Sequence, residues 1–365
     1  MNTFHKMKKK LNLILVLAFI ISCKHNTPVS ESIPDSLSSQ VVDSTDLTNN
    51  FYDNAETKSL PQNELTIEGE ISNPGVVDFN ELTKRSVIVK EALLDGTEGN
   101  KFIGAFRYDG YSLMDILDNR KINKNNDEEF PQIIDLYVEI ENVAGDKVVF
   151  SWGEIYYPNN LHKIILATNV ARIVPSKTKD LWVLPVASKI VAGNDLITER
   201  NISNPVKITV RSYPKAFNTI KGVSPLYSDQ FSLYNGNIEL TKLTDLPDSL
   251  NLSKYNTIFY GRGRGIHSTS PFKGVLLKNI FENYYPLTKE NIMTGMFCFV
   301  AKDGYRMTVS YSELLNRNDQ QEFLLIKTKP GEDGGLFRIF PGCDFFSDRA
   351  IKSLTEVHLS NKNNY

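Results

Sequence analysis

The run Gly261-Arg262-Gly263-Arg264-Gly265-Ile266-His267 is the most chemically suggestive stretch of this chain. Alternating glycines free the backbone to form a nest of N–H groups, and two guanidinium forks beside it suit a phosphate or carboxylate. The bland alternative is a solvated glycine-rich surface turn with incidental arginines. Two other phosphate loops are excluded. The third glycine of a dinucleotide fingerprint is replaced by Ser268, and no Gly-Lys-Ser/Thr follows as in a P-loop. His267 is the right residue type for a metal or cofactor ligand, although a lone loop histidine usually needs only solvent or a hydrogen bond. No His/Cys spacing makes a zinc site, and no Gly-x-Ser-x-Gly marks a hydrolase. Of the aromatics Phe106, Tyr108, Tyr111, Trp152, Tyr156 and Tyr157 in the first half and Tyr260, Phe272, Phe345 and Phe346 in the second, most belong to the core, and those flanking loops could stack on a flat ring or sugar.

Elements must hold these groups in place, and the chain is long enough to supply them. Its 365 residues, 41% hydrophobic, can bury a sizeable core and suggest two domains. A formal charge of −2 excludes nucleic acid as the default partner. Lys6, Lys8, Lys9 and Lys10 precede an apolar run from Leu11 to Ile21, too short for a comfortable span and right for a secretory leader. The run ends Ile20-Ile21-Ser22-Cys23, which resembles a bacterial lipobox with Cys23 as the lipidated residue. This predicts a leader over 1–23 and a cell-envelope protein held to a membrane outside the cytoplasm. Residues 24–63, rich in Ser, Thr, Asn, Asp and Pro, read as a disordered tether. Such a coil has an end-to-end distance of roughly 35 Å. The remaining Cys298 and Cys343 form either a disulfide or two buried free thiols.

The folded part repeats itself. Tyr108-x-Gly110 through Leu117 matches Phe272-x-Gly274 through Phe281, with apolar residues at the same offsets after the glycine. Gly145 to Ile155 matches Gly304 to Leu314, each a turn, a strand and then Ser-aromatic-x-Glu-aliphatic opening a helix. Arg200-Asn201-Ile202 leading into Val206 to Val210 matches Arg349-Ala350-Ile351 leading into Thr355 to Leu359. Three collinear matches predict a tandem duplication, with domains over 64–210 and 236–360 and a linker over 211–235.

The order of these elements, with Gly69-Glu70-Ile71-Ser72-Asn73-Pro74 at the start and Gly335-Leu336-Phe337-Arg338-Ile339-Phe340-Pro341-Gly342 near the end, resembles the sulfite-oxidase-type molybdopterin-binding domain family. The resemblance implies an α+β fold: two such domains with mixed β-sheets and short helices. It also implies an anion grip by Arg338 and by Arg349 with Lys352 on the closing basic turn, joined by Arg262, Arg264 and His267 from the glycine run. In the first copy Arg200 stands at the Arg349 position, but Ser203 replaces Lys352, so the second copy is the expected anion site. The family holds molybdenum through a cysteine thiolate ahead of the aromatic-x-Gly helix, and neither copy has a cysteine there. The expectation is therefore a lipid-anchored, non-catalytic binding module for an anionic small molecule, with no resident metal or cofactor. The alternatives are a molybdopterin oxidoreductase with a non-cysteine ligand, and a structural subunit of an envelope uptake or assembly complex.

Overall fold

The structure, a computed structural model, describes residues 56–96, 99–175 and 177–362, all within one compact unit. Cys23, the leader over 1–23 and the tether up to residue 55 lie outside the described residues. No helix among the described residues is long and apolar enough to cross a membrane.

The first copy runs β1 (Thr57–Ser59), β2 (Thr66–Gly69), β3 (Gly75–Val76), β4 (Lys84–Asp95), β5 (Gly99–Ser112), α1 (Leu113–Leu117), β6 (Leu136–Asn142), β7 (Lys147–Ser151), α2 (Trp152–Tyr156), β8 (Ile164–Arg172), β9 (Lys189–Ala192) and β10 (Pro205–Ser212). The second runs β11 (Phe231–Asn235), β12 (Ile238–Leu243), β13 (Leu252–Tyr255), β14 (Phe259–Gly261), β15 (Gly265–Ser268), β16 (Phe272–Leu276), α3 (Lys278–Phe281), α4 (Lys289–Thr294), β17 (Met296–Ala301), β18 (Arg306–Ser310), α5 (Tyr311–Leu315), β19 (Phe323–Lys327), β20 (Phe337–Pro341) and β21 (Leu354–Ser360).

This corrects the expected α+β class. Among the described residues the chain is mostly β, with 43% in strands and 10% in helices, and the five α-helices span only four to six residues each. The physical reason lies in the caps and the short periodic stretches. Ser112, Ser151 and Ser310 each accept the backbone N–H three residues on, which starts a turn of helix. After one turn the helical apolar pattern stops, and nothing remains to bury a longer helix. The alternating and continuous apolar runs between them are strands.

Both copies use one topology. The first copy's sheet β3-β2-β10-β6-β7 has its counterpart in β12-β11-β21-β17-β18. In each, the first long strand pairs parallel with the last, β2 with β10 and β11 with β21, and every other neighbour is antiparallel. The second sheets correspond likewise, β4-β5-β8-β9 and β13-β16-β19-β20. The glycine of the shared aromatic-x-Gly motif has a concrete role in both. A Cβ on Gly110 would overlap the Leu166 carbonyl, and one on Gly274 the Leu325 carbonyl, so the strands cross too closely for any side chain.

Two boundaries differ from the sequence expectation. Thr57–Ser59, within the stretch expected as tether, pair with Asn169–Ala171 of β8, and Leu60 beside them is 2% exposed. The stretch expected as linker contains β11, whose Phe231 and Leu233 are buried in the second copy's core.

The copies share their interiors. Phe130, Ile134, Tyr157 and Ile197 of the first copy are part of the second copy's core. Each large apolar side chain so buried contributes about 1.5–3 kcal/mol.

A cleft at the pseudo-twofold junction

The junction between the copies is reciprocal. The Asn159 N–H donates to the Cys343 carbonyl and the Asn318 N–H to the Asn194 carbonyl, both at 2.9 Å. The Phe345 N–H donates to the Tyr157 carbonyl as the Leu196 N–H does to Asn316. Short antiparallel bridges join Pro158 to Asp344 and Arg317 to Asp195. Each contact is the other with the copies exchanged, which is the pattern of an isologous dimer contained in one chain.

Two buried arginines brace this junction. Arg200 forms a fork on Asp195 at 2.7 and 2.8 Å, holds Glu154 at 3.0 Å, and donates to Ser310 Oγ of the other copy at 3.1 Å. Arg349 grips Asp344 at 2.5 and 2.7 Å and pairs with Glu313 at 2.6 Å, while the Ser151 hydroxyl donates to Glu313 across the junction at 2.6 Å. Burial pushes the Asp195, Glu154 and Asp344 carboxyls up, and the guanidinium beside each only partly offsets it. A Cβ on Gly153 would run into the Arg349 guanidinium, so α2 of the first copy lies directly on the second copy's arginine.

These braces fix α2, whose Trp152 stacks on Tyr156 with ring centroids 4.6 Å apart. Beside them opens a cavity of about 250 Å³, lined by Leu117, Asp118, Arg120, Ile133, Trp152, Tyr156, Tyr157, Arg262 and Phe346. Arg262 enters from the second copy: it sits at the turn of the hairpin β14-β15, its guanidinium 5.7 Å from the Tyr157 ring. It is held there by Asp348 at 3.0 Å, which raises its pKa, and about half of its side chain remains exposed.

The cavity is rich in donors. The Tyr157 hydroxyl is buried with no hydrogen-bond partner, and so is the Nε of Arg120, whose other nitrogens donate to the Asn73 and Val76 carbonyls. Burial pushes the Tyr157 phenol up to about 12, against the lowering influence of Arg262, so it is a neutral donor at physiological pH. Asp118 is the carboxylate on the lining. A larger hollow of about 500 Å³ elsewhere is less suited to an anion. Glu70, Glu129 and Glu139 line it, and its carboxylates already accept from Ser212, Arg306 and Lys147.

Known proteins offer no guide: no family model matches the chain, and no curated protein matches it.

The expected site residues are thus dispersed. Arg262 lines the cavity, and Arg349 lies behind it, 5.8 Å from the Tyr157 ring but wholly buried in its ion pairs. Arg264 is exposed on the hairpin turn and Lys352 is exposed on its own turn. His267, on β15, packs its ring 5.4 Å from Phe259. Arg338 pairs with Glu332 at 2.8 Å and donates to the Gly334 and Asp333 carbonyls. Arg120 was not flagged by the sequence, because no motif surrounds it.

A molybdopterin centre does not fit this arrangement. Both remaining cysteines are free and buried, with their thiols pushed up by burial, and the expected basic residues do not converge. One cluster of ligand-type groups exists among the described residues, Glu313, Cys343 and Asp344, with ligand atoms within 4.8 Å of one another. Its two carboxylates already face a cation, the Arg349 guanidinium, and the Cys343 thiol points its proton at Asp344 at 3.4 Å. A metal there would have to displace both.

Proposed function

We propose that this protein is a lipid-anchored, non-catalytic binding module of the cell envelope that holds a ring-bearing anionic small molecule in the cleft between its two copies. One observation carries the reading. Tyr157 and Arg120, whose Oη and Nε are buried without partners, both line a cavity that also receives Arg262. Buried donors left unsatisfied are costly, and an acceptor-rich ligand is what would satisfy them. Trp152, Tyr156 and Phe346 supply flat apolar walls for a ring, while Arg262 supplies charge. The cavity is small for a drug-sized ligand, which favours a single ring. This reading stands on the cavity rather than on the resemblance to the molybdopterin-binding family.

Calorimetric titration with phenyl phosphate, benzoate and a hexose phosphate tests it, with phenol and inorganic phosphate as single-feature controls. A ring-bearing anion should bind, and Arg262→Ala should weaken it by about tenfold or more. No binding by any of the three, or binding indifferent to Arg262→Ala, overturns the proposal. Incorporation of labelled palmitate that is lost in Cys23→Ala tests the anchor separately.

A further inference from the structure

The connection from β8 to β9 carries a surface that its counterpart lacks. It crosses the face of the first copy's second sheet, where Trp182 and Leu184 turn inward onto a core that includes Val89 and Tyr108. Arg172 donates to the Trp182 carbonyl at 2.5 Å, and the Trp182 indole N–H donates to the Ile173 carbonyl at 3.1 Å, so this strap is fixed. In an extended strap alternate residues must then face out, and Leu181 is 71% exposed and Val183 85%; past Pro185, where the alternation ends, Val186 is 78% exposed.

The fold does not require these side chains. In the second copy the equivalent strands β19 and β20 are joined by Thr328-Lys329-Pro330-Gly331-Glu332-Asp333-Gly334-Gly335-Leu336, whose only large apolar residue, Leu336, is buried. The same topology thus closes with a polar connection. Three large aliphatics pointing outward within six residues form a patch rather than scattered exposure.

Two observations say what covers it. Lys177 and Lys179 are exposed on the same strap, against the single acid Asp180, so the patch is basic at its rim. The chain also enters the described structure here. β1 pairs with β8 of this sheet, and Lys58 Nζ reaches the Pro185 carbonyl at 3.4 Å. The segment leading back to Cys23 therefore joins the fold beside the strap. An apolar tip with lysines at its rim is the pattern of an interfacial membrane contact.

We propose that the strap is a membrane-contact face, with Leu181, Val183 and Val186 seated among the lipid headgroups and Lys58, Lys177 and Lys179 on anionic ones. The expectation that a membrane is near rests on the anchor at Cys23; the contact itself does not need it.

The test uses the chain from Asp43 onward, which lacks Cys23 and keeps every described residue, all of them in one compact unit with its own core. It is floated with phosphatidylcholine vesicles, with and without phosphatidylglycerol. The wild-type chain should float with the phosphatidylglycerol vesicles. Leu181→Asp/Val183→Asp should lower its partitioning by about tenfold or more, with an unchanged melting curve. Lys177→Glu/Lys179→Glu should erase the preference for the anionic lipid. Absence of flotation, or flotation unaffected by the aspartates, overturns the proposal. So does a lipid-free dimer that the aspartates dissolve, which would assign the patch to a second copy. If palmitate labelling fails while flotation holds, the face stands and the anchor does not.

Discussion

Replacing Tyr157 with Phe separates a ligand-binding role from a structural one, because the two predict opposite signs. In the free protein the Tyr157 hydroxyl is buried without a partner, 3% of the residue being exposed. A buried, unsatisfied hydroxyl costs about 1–3 kcal/mol. Phe keeps the ring that packs edge-on to Phe346 at 6.3 Å and that Arg262 and Arg349 face at 5.7 and 5.8 Å. It discards only the oxygen. Tyr157→Phe should therefore raise stability by about 1 kcal/mol, or about 1–3 °C in melting temperature for a unit of this size. A hydrogen bond from the same hydroxyl to a charged ligand is worth about 1.5–3 kcal/mol, so the variant should bind phenyl phosphate about 10- to 100-fold more weakly. Scanning calorimetry and titration calorimetry on the same two samples read both quantities. A variant that loses stability, or one that binds phenyl phosphate as wild type does, refutes the argument that this hydroxyl is held in reserve for a ligand.

Phenyl phosphate affinity should be flat from about pH 7 to about pH 10. Burial holds the Tyr157 phenol up at about 12, the Arg262 cation is stabilised by Asp348, and the phosphate, with its second pKa of about 6, is already a dianion. A fall in affinity centred near pH 8 to 9 by titration calorimetry would contradict this. Arg200→Met and Arg349→Met should each lose about 3–5 kcal/mol in urea melts at neutral pH, since each strands two buried carboxylates. That loss should shrink as pH falls. Carboxyls whose pKa is raised by folding favour the folded state below their unfolded pKa and oppose it as pH rises. Gly110→Ala and Gly274→Ala should each cost about 1–3 kcal/mol or more by chemical denaturation, through overlap with the Leu166 and Leu325 carbonyls. Gly263→Ala, with open space around it, should stay within about 0.5 kcal/mol of wild type.

Much of the local structure was legible along the chain. Ser151-Trp152-x-Glu154 and Ser310-Tyr311-x-Glu313 announce helix starts, because a serine hydroxyl three residues before a backbone N–H caps it wherever the chain lies. The aliphatics Leu113, Ile116 and Leu117 were readable as one buried face for the same local reason. The glycine run was legible only in part. Gly265 takes a positive φ of 72° at the hairpin turn, as the run of glycines suggests. Gly261 is instead small because a Cβ there would strike the His267 imidazole, a contact made across the hairpin.

The collinear order of three motifs determined that this chain carries related halves, and residue type determined which side chains could meet an anion. Where those side chains would stand was decided by the tertiary fold. Arg349 and Arg262 look alike in the chain as loop arginines. The fold surrounds the first with Asp344 and Glu313 and leaves the second half exposed beside Tyr157. The difference is physical: sequence spells out each residue's own neighbours, whereas charge available for a ligand depends on carboxylates and solvent supplied by segments distant in the chain. Tyr157, Arg120 and Arg262 come from separate elements and from both copies, so the cleft they form exists only once the copies have closed on each other.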